Sequence, residues 1–174
     1  RIAEYISEIV RAKEGNYMVF CPSYTFLQII YHFYLEYFQT EKQECIMQQE
    51  YMREADREEF LARFRGNDDC DLQAEIAMDI HIEEENTLIG FCVLGGIFGE
   101  GIDLKKDCLI GAVIVGTGLP QVCNEREILK RYFDEDGGNG FDYSYRYPGM
   151  NKVAQAAGRV IRTAEDVGII ALLD

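Results

Sequence analysis

The sequence predicts an α/β fold in which helices cover both faces of a parallel sheet. Two apolar runs of strand length, Leu88–Leu94 and Leu109–Val115, alternate with longer stretches of helical spacing. Both runs are apolar throughout, as strands buried on both faces should be. Each ends in a glycine-rich turn, at Gly95-Gly96 and at 116–118. Ligands of parallel sheets bind where such strands end, so these turns are candidate binding elements.

The first part of the chain reads as two helix–strand pairs and a third helix. Residues 2–14 and 24–38 have helical spacing, and 17–21 and 45–48 read as short strands. A charged helix follows over about 54–65. The helix over 24–38 is apolar nearly all round, which predicts a position deep in the core. Its many aromatic side chains would then pack in the core, although stacking on nucleic-acid bases is an alternative.

The last part of the chain predicts two helices and a strand. The helices cover about 122–135 and 148–163, with a flexible turn at Gly137–Gly140 between them, and the strand covers 168–173.

Length and composition fit a single domain over residues 1–174, with 48% hydrophobic residues. No apolar run approaches the roughly 20 residues of a membrane-spanning helix, and residues 1–11 carry no signal-peptide core. We therefore expect a cytoplasmic protein with no membrane partner. Because the sequence begins with Arg and stops straight after an apolar strand, we also expect it to be a piece of a longer chain.

The acidity of the chain is concentrated in one region. The formal net charge is −14, and residues 50–85 contain 13 acids and 4 bases, which accounts for −9 of it. Residues 66–86 form too long a connection for a compact domain, so they predict an acidic surface insertion. A Ca²⁺ site is the alternative, but the acids lack the spacing and the central glycine of an EF-hand.

The stretch with the clearest chemistry contains Gln155, Arg159 and Arg162. If residues 148–163 are helical, these three lie at i, i+4 and i+7 and form one polar stripe. The opposite face would be apolar and contain Met150, Val153, Ala154, Ala157, Val160 and Ile161. Two guanidinium groups on one stripe suit phosphate oxygens and the charge that develops during phosphoryl transfer. A solvated basic stripe, or one paired with the acidic insertion, is the structural alternative.

Four ordered blocks resemble motifs IV to VI of the C-terminal RecA-like helicase domain of the DinG/XPD (Rad3-like) superfamily 2 DNA helicases. Val19–Tyr24 is similar to motif IV, and Gly95–Leu104 to motif V. Leu109–Pro120 is similar to the strand and "GLP" turn that follow, and Gln155–Arg162 to motif VI. The resemblance implies a RecA-like sheet of the P-loop NTPase type, here without the P-loop itself.

The resemblance also implies roles for residues at the nucleotide. Arg159 and Arg162 would be arginine fingers that reach the γ-phosphate of a nucleotide on the partner domain, with Gln155 orienting them. Glu100, Gly101 and Asp103 of motif V would contact that nucleotide cleft and couple it to the DNA track. The alternative is that motif V is a tight turn whose glycines are needed only for its backbone conformation.

Ser23 and Tyr24 would contact the backbone of single-stranded DNA. The sequence departs from the family pattern at Gly99, where a Ser usually precedes Glu-Gly, and at Val167, where an Arg usually precedes the glycine of the last strand. Gly99 lacks the hydroxyl that Ser would supply, and Val167 cannot form the ion pair that Arg would make.

The sequence contains no G-x-x-x-x-G-K-[ST] phosphate loop and no D-E-x-H box. In the family, ATP and Mg²⁺ are held mainly by the first RecA-like domain of the same chain, which also carries any iron–sulfur cluster. The six cysteines here lie at least fifteen positions apart and read as reduced thiols, so we expect no metal site in this piece. Alone, it should be inactive as an ATPase.

The expected function is that of the second motor domain of an ATP-dependent DNA helicase, moving 5′→3′ along single-stranded DNA. A non-catalytic interaction module derived from such a domain is one alternative. A motor that remodels RNA is another, because backbone contacts separate the two polymers only weakly.

Overall fold

The computed structural model describes residues 1–65, 86–99, 104 and 108–174. The elements are, in chain order, α1 (Ile2–Ala12), β1 (Asn16–Cys21), α2 (Tyr24–Tyr37), β2 (Gln43–Met47), α3 (Glu54–Arg65), β3 (Thr87–Val93), β4 (Gly111–Val115), α4 (Asn124–Glu135), a π-helical turn (Asp142–Arg146), α5 (Tyr147–Ala157) and β5 (Ile169–Leu173). The predicted helices and strands are confirmed in type and order. The predicted acidic insertion lies, except for Asn86, outside the described residues.

The five strands form one sheet in the order β2-β3-β1-β4-β5, and every neighbouring pair is parallel. β1 is the central strand, where Met18 pairs with Gly90 on one side and with Ala112 on the other. All five carboxyl ends therefore meet at one edge of the sheet. The parallel α/β architecture predicted from the alternating elements is confirmed.

The central strands alternate their side chains between two apolar layers, because successive residues of a strand point to opposite faces. Val19 faces α1 and α2, which contribute Ile6, Val10 and Leu27, among others, to that layer. On the other face, Phe20 packs with side chains of α3 and α5. The buried residues of those two helices in this layer are Phe60, Leu61, Phe64, Val153 and Ala156. Both faces of the sheet are thus covered.

The predicted core position of the second helix is wrong for one of its faces. Leu27, Ile30 and Tyr34 are buried against the sheet. Ile29 and Tyr37 are each 61% exposed and belong to the outer face. A helix in an outer layer of this three-layer packing has only one covered side, so apolar residues on its far side stay in solvent.

The helix predicted over 148–163 is shorter than expected. α5 ends at Ala157, and Gly158 caps it with its N–H bonded to the carbonyl oxygen of Ala154, 2.9 Å away. The residues buried along this stretch are Gly149, Val153, Ala156 and Val160. The predicted apolar face is therefore wrong for Met150, Ala154 and Ile161, which are exposed.

Asn16 joins two connections at the amino-terminal edge of the sheet. Its side-chain Nδ2 donates hydrogen bonds to the carbonyl oxygens of Phe64, at 3.2 Å, and Cys108, at 3.1 Å. The end of α3 and the segment before β4 are thereby held at the start of β1. None of the helices within the described ranges is long and apolar enough to span a bilayer.

Candidate functional site

The carboxyl ends of the three central strands bring separate parts of the sequence to one edge. β1 leads into Pro22 and Ser23, β3 into Leu94 and Gly95, and β4 into Gly116. The N–H of Leu94 donates to the Cys21 carbonyl oxygen at 2.8 Å, which joins the first two segments where their strands end. This is the edge at which the glycine-rich turns were predicted to lie.

Ser23 and Tyr24 lie at this edge, at the start of α2. Ser23 is the N-cap, and its Oγ accepts a hydrogen bond from the Phe26 N–H at 3.3 Å. Ser23 is exposed and Tyr24 is half-buried. Since the capping contact uses the hydroxyl as an acceptor, its proton can still be donated outward. The first N–H groups of a helix also have no partner within the helix, so this terminus suits an anion.

Lys152 of α5, to which the sequence analysis assigned no role, reaches the same edge. A Cβ built on Gly95 would lie 2.7 Å from Lys152 Cδ and 3.0 Å from its Cε. One built on Gly118 would lie 3.6 Å from Lys152 Cδ. The aliphatic part of Lys152 therefore runs over the turn after β3 and beside the turn after β4. Only the fold brings these glycines to one lysine, so no local pattern could have revealed it.

Helix α5 runs from this edge to the opposite one. Near its start, a Cβ built on Gly149 would lie 2.8 Å from the carbonyl oxygen of Thr117, in the turn after β4. Beyond its end, Val160 packs against Gly168 and lies beside Ile110, the residues that precede β5 and β4. The turn after α5 is therefore at the amino-terminal edge of the sheet.

The predicted stripe of Gln155, Arg159 and Arg162 on one helix is wrong, because the helix ends before the arginines. Gln155 is exposed in the last turn of α5. Arg159 lies in the tighter turn that follows, with its N–H bonded to the Ala156 carbonyl oxygen at 3.1 Å. Arg159 is half-buried and Arg162 is exposed. The two arginines thus belong to one turn near the amino ends of β4 and β5.

Asp166 fixes the backbone at Arg162. Its Oδ2 accepts hydrogen bonds from the backbone N–H groups of Arg162 and Thr163, each at 2.7 Å. These two bonds hold the pKa of the Asp166 carboxyl below its ordinary value, and the nearby charge of Arg162 acts in the same direction. Asp166 thus contacts residues 162 and 163 through the backbone of a turn.

Glu100, Gly101 and Asp103, the predicted motif V residues, lie outside the described residues. Their roles, like those of Ser23, Tyr24, Gln155, Arg159 and Arg162, stay predictions. The structure separates the described site residues into two groups at opposite edges of the sheet, with α5 spanning the distance between them.

The thiols show no arrangement for a metal. Among the described residues, no three Cys, His, Asp or Glu side chains are grouped to hold an ion. The five described cysteines, 21, 45, 92, 108 and 123, form no disulfide, and the sixth lies outside the described ranges. Burial raises the pKa of Cys21 and of Cys45 to about 12 and keeps both protonated, whereas thiolate is the ligand form.

The parallel five-stranded sheet, with its candidate site residues at two opposite edges, defines a RecA-like α/β domain. A family model described as "Helicase C-terminal domain" matches residues 6–174. The chain belongs to that family, and its relatives are of the DinG/XPD/Rad3 type.

Curated relatives include two helicases from different kingdoms. The ATP-dependent DNA helicase CHL1 of Vanderwaltozyma polyspora is 29% identical over 171 residues, which cover 92% of this chain and 19% of the relative. The ATP-dependent DNA helicase DinG of Photobacterium profundum is 36% identical over 81 residues, which cover 45% of this chain and 12% of the relative. The chain thus spans about a fifth or less of their length.

Two solved structures have the same fold. One, named as apo XPD, has a TM-score of 0.69, covering 100% of this chain and 31% of its own. The other, named as XPD helicase, has a TM-score of 0.66, covering 100% of this chain and 27% of its own. Each shares 20% sequence identity with this chain, so the likeness is one of fold.

Proposed function

We propose that this domain is the second motor domain of an ATP-dependent DNA helicase that moves 5′→3′. It would supply arginine fingers for ATP hydrolysis and part of the track for single-stranded DNA. Its partners would be the first RecA-like domain of the same chain and the DNA strand. ATP and Mg²⁺ would be held mainly by that first domain, so the present domain alone would be inactive as an ATPase.

The observation that carries this proposal is the course of α5 between the two edges. The segment that starts beside the turn after β4 ends in the turn of Arg159 and Arg162. A shift of that turn on nucleotide binding would therefore move a helix whose other end lies beside the turn after β4, at the carboxyl edge that also holds Ser23. Coupling of two sites requires a connected element of this kind.

The exposure and charge of Arg162 and the anchoring of its turn support a contact with the γ-phosphate. The exposed Arg162 carries a charge that no physiological pH removes, and Asp166 holds the backbone of its turn. Arg159 is half-buried, and its neighbour Val160 is buried, so the backbone at Arg159 is held against the domain. In motor enzymes such arginines stabilise charge on the transferred phosphoryl group.

The motif V residues would complete the coupling. Glu100, Gly101 and Asp103 follow the turn after β3, which starts at the carboxyl edge, and would link the nucleotide cleft to the strand. The N–H of Gly101 could approach a ligand closely because glycine has no side chain. Gln155 would orient the arginines from the last turn of α5.

Strand displacement by the full-length protein tests the function. We expect ATP-dependent unwinding of a DNA duplex with a 5′ single-stranded tail, and ATP turnover that rises when single-stranded DNA is added. A duplex with a 3′ tail and a matched RNA duplex are the controls. Stronger unwinding from the 3′ tail would overturn the polarity, and stronger unwinding of RNA would overturn the substrate. No turnover with either polymer would favour a non-catalytic interaction module.

A further inference from the structure

Lys152 is a cation held at the carboxyl edge of a strongly acidic chain. Within the described ranges, no ion pair or hydrogen bond engages its ammonium group. The other described lysines, 13, 42 and 130, are likewise outside every ion pair, so Lys152 is distinguished by its position at this edge.

The Lys152 side chain contacts two turns that each contain a glycine with a positive φ. Gly95 and Gly118 have φ angles of +72° and +58°, a region that side-chain-bearing residues rarely adopt. A Cβ on Gly95 would also collide with the Lys152 side chain, at 2.7 Å from Cδ. Gly95 therefore leaves room for the aliphatic stem. A Cβ on Gly118 would collide with Leu94 Cδ2 at 2.6 Å and would only touch Lys152 Cδ, at 3.6 Å. A stem held in this way loses less rotamer entropy when its ammonium group binds a ligand.

The start of α2 adds positive potential at the same edge. β1 lies between β3 and β4, so Ser23 emerges between the turns that flank Lys152. Pro22 lies beside the turn after β4, because a Cβ built on Gly116 would lie 3.9 Å from Pro22 Cβ. A helix amino terminus carries about half a positive charge from its aligned peptide dipoles. The edge thus combines a lysine with a helix terminus, and the acids in this part of the described structure do not neutralise the lysine.

We propose that Lys152 binds a backbone phosphate of the single strand, held for that contact across the turns at Gly95 and Gly118. The inference rests on the proposed DNA track and adds to it a residue that lies three positions before Gln155 and to which the resemblance assigns no role. The ligand is a phosphodiester of single-stranded nucleic acid. Base identity should not matter, because the phosphate group is the same at every nucleotide.

The test is equilibrium binding of labelled oligodeoxythymidylate to the full-length protein over a range of salt concentrations. One phosphate contact to a single strand contributes about 0.7 to the slope of log affinity against log salt concentration. We expect Lys152→Gln to lower that slope by about 0.7 and to weaken binding at low salt by about five- to tenfold. Lys152→Arg should retain both values, because it retains the charge.

Lys13→Gln is the matched control, because Lys13 is an exposed lysine that precedes β1 at the opposite edge. It should leave the affinity and the slope unchanged. Two results would overturn the inference: an unchanged slope in Lys152→Gln, or an equal loss in Lys152→Arg, which would assign the effect to packing of the stem. If the wild-type protein itself does not bind the oligonucleotide, the proposed function fails, which is a different result.

Discussion

Val160 occupies the space that a side chain at residue 168 would need. A Cβ built on Gly168 would lie 2.2 Å from Val160 Cγ1 and 2.8 Å from the Ile110 carbonyl oxygen. The Ile110 carbonyl oxygen cannot move away freely, because it accepts a hydrogen bond from the N–H of Ile169 at 3.0 Å. This close approach fixes the turn of Arg159 against the amino ends of β4 and β5.

Gly168→Ala should therefore destabilise the domain. The added methyl group must displace either Val160 or the start of β5, and overpacking of this kind costs about 1–3 kcal/mol. Urea denaturation gives the free energy of unfolding. The exposed Gly158 has an ordinary φ of −66° and its built Cβ comes no closer than 3.3 Å to any atom outside the neighbouring residues, so Gly158→Ala is a control for glycine replacement without a clash. Equal stability of wild type and Gly168→Ala would contradict the packing described here.

Arg162→Ala should reduce ATP turnover by the full-length protein by about a thousandfold or more, the typical contribution of an arginine finger. Folding should survive, because Asp166 contacts the backbone N–H of residue 162, which alanine retains. Arg131→Ala, at an exposed position of α4, is the matched control and should leave turnover unchanged. Turnover of Arg162→Ala within a few-fold of wild type would remove the finger assignment.

Asp166 should stabilise the fold in a pH-dependent way. Because its folded-state pKa is lowered, the ionised carboxylate stabilises the native state above the ordinary Asp pKa, and this contribution is lost as the pH falls through the folded-state pKa. Asp166→Ala should be less stable than wild type at neutral pH, and the difference should shrink in acid. Thermal melts of both proteins across this range measure it. A difference that stays constant with pH would refute the role of the charge.

Two substitutions of Ser23 should distinguish its role as a helix cap from a role in binding single-stranded DNA. Ser23→Ala removes the acceptor for the Phe26 N–H and should cost about 1 kcal/mol of stability. Ser23→Asp retains a capping oxygen and adds a negative charge at the carboxyl edge. Its stability should stay near wild type, while its affinity for single-stranded DNA should fall. Denaturation and oligonucleotide binding measure the two effects separately. Unchanged affinity in Ser23→Asp would exclude a phosphate beside residue 23.

Much of the fold followed from short-range patterns. The apolar run over 88–94 predicted a strand buried on both faces, and the strand there pairs with β1 on one side and β2 on the other. The apolar residues of α2 gave less information, because helical spacing does not reveal which side a neighbouring layer will cover. Ile29 and Tyr37 are as apolar as the buried Ile30 and Tyr34, yet they lie in solvent.

The arginine region shows a second limit of sequence analysis. Gln155, Arg159 and Arg162 have helical spacing, but spacing cannot tell where a helix stops when the residues beyond it also suit one. Gly158 ends α5, and the packing of Val160 against Gly168 then sets the direction of the following turn. The two arginines are three positions apart in the chain but do not lie on one stripe of a helix.

The sequence by itself determined the parallel α/β class, the order of elements and the resemblance in motifs IV to VI, because periodicity and short motifs depend on neighbouring residues. Only the tertiary structure decided that α5 spans the sheet from edge to edge and that Lys152 meets the turns at Gly95 and Gly118. Lys152 lies 57 positions from Gly95 and 34 from Gly118 in the chain. Such contacts arise when strands pair and helices pack on them, so no local pattern contains them.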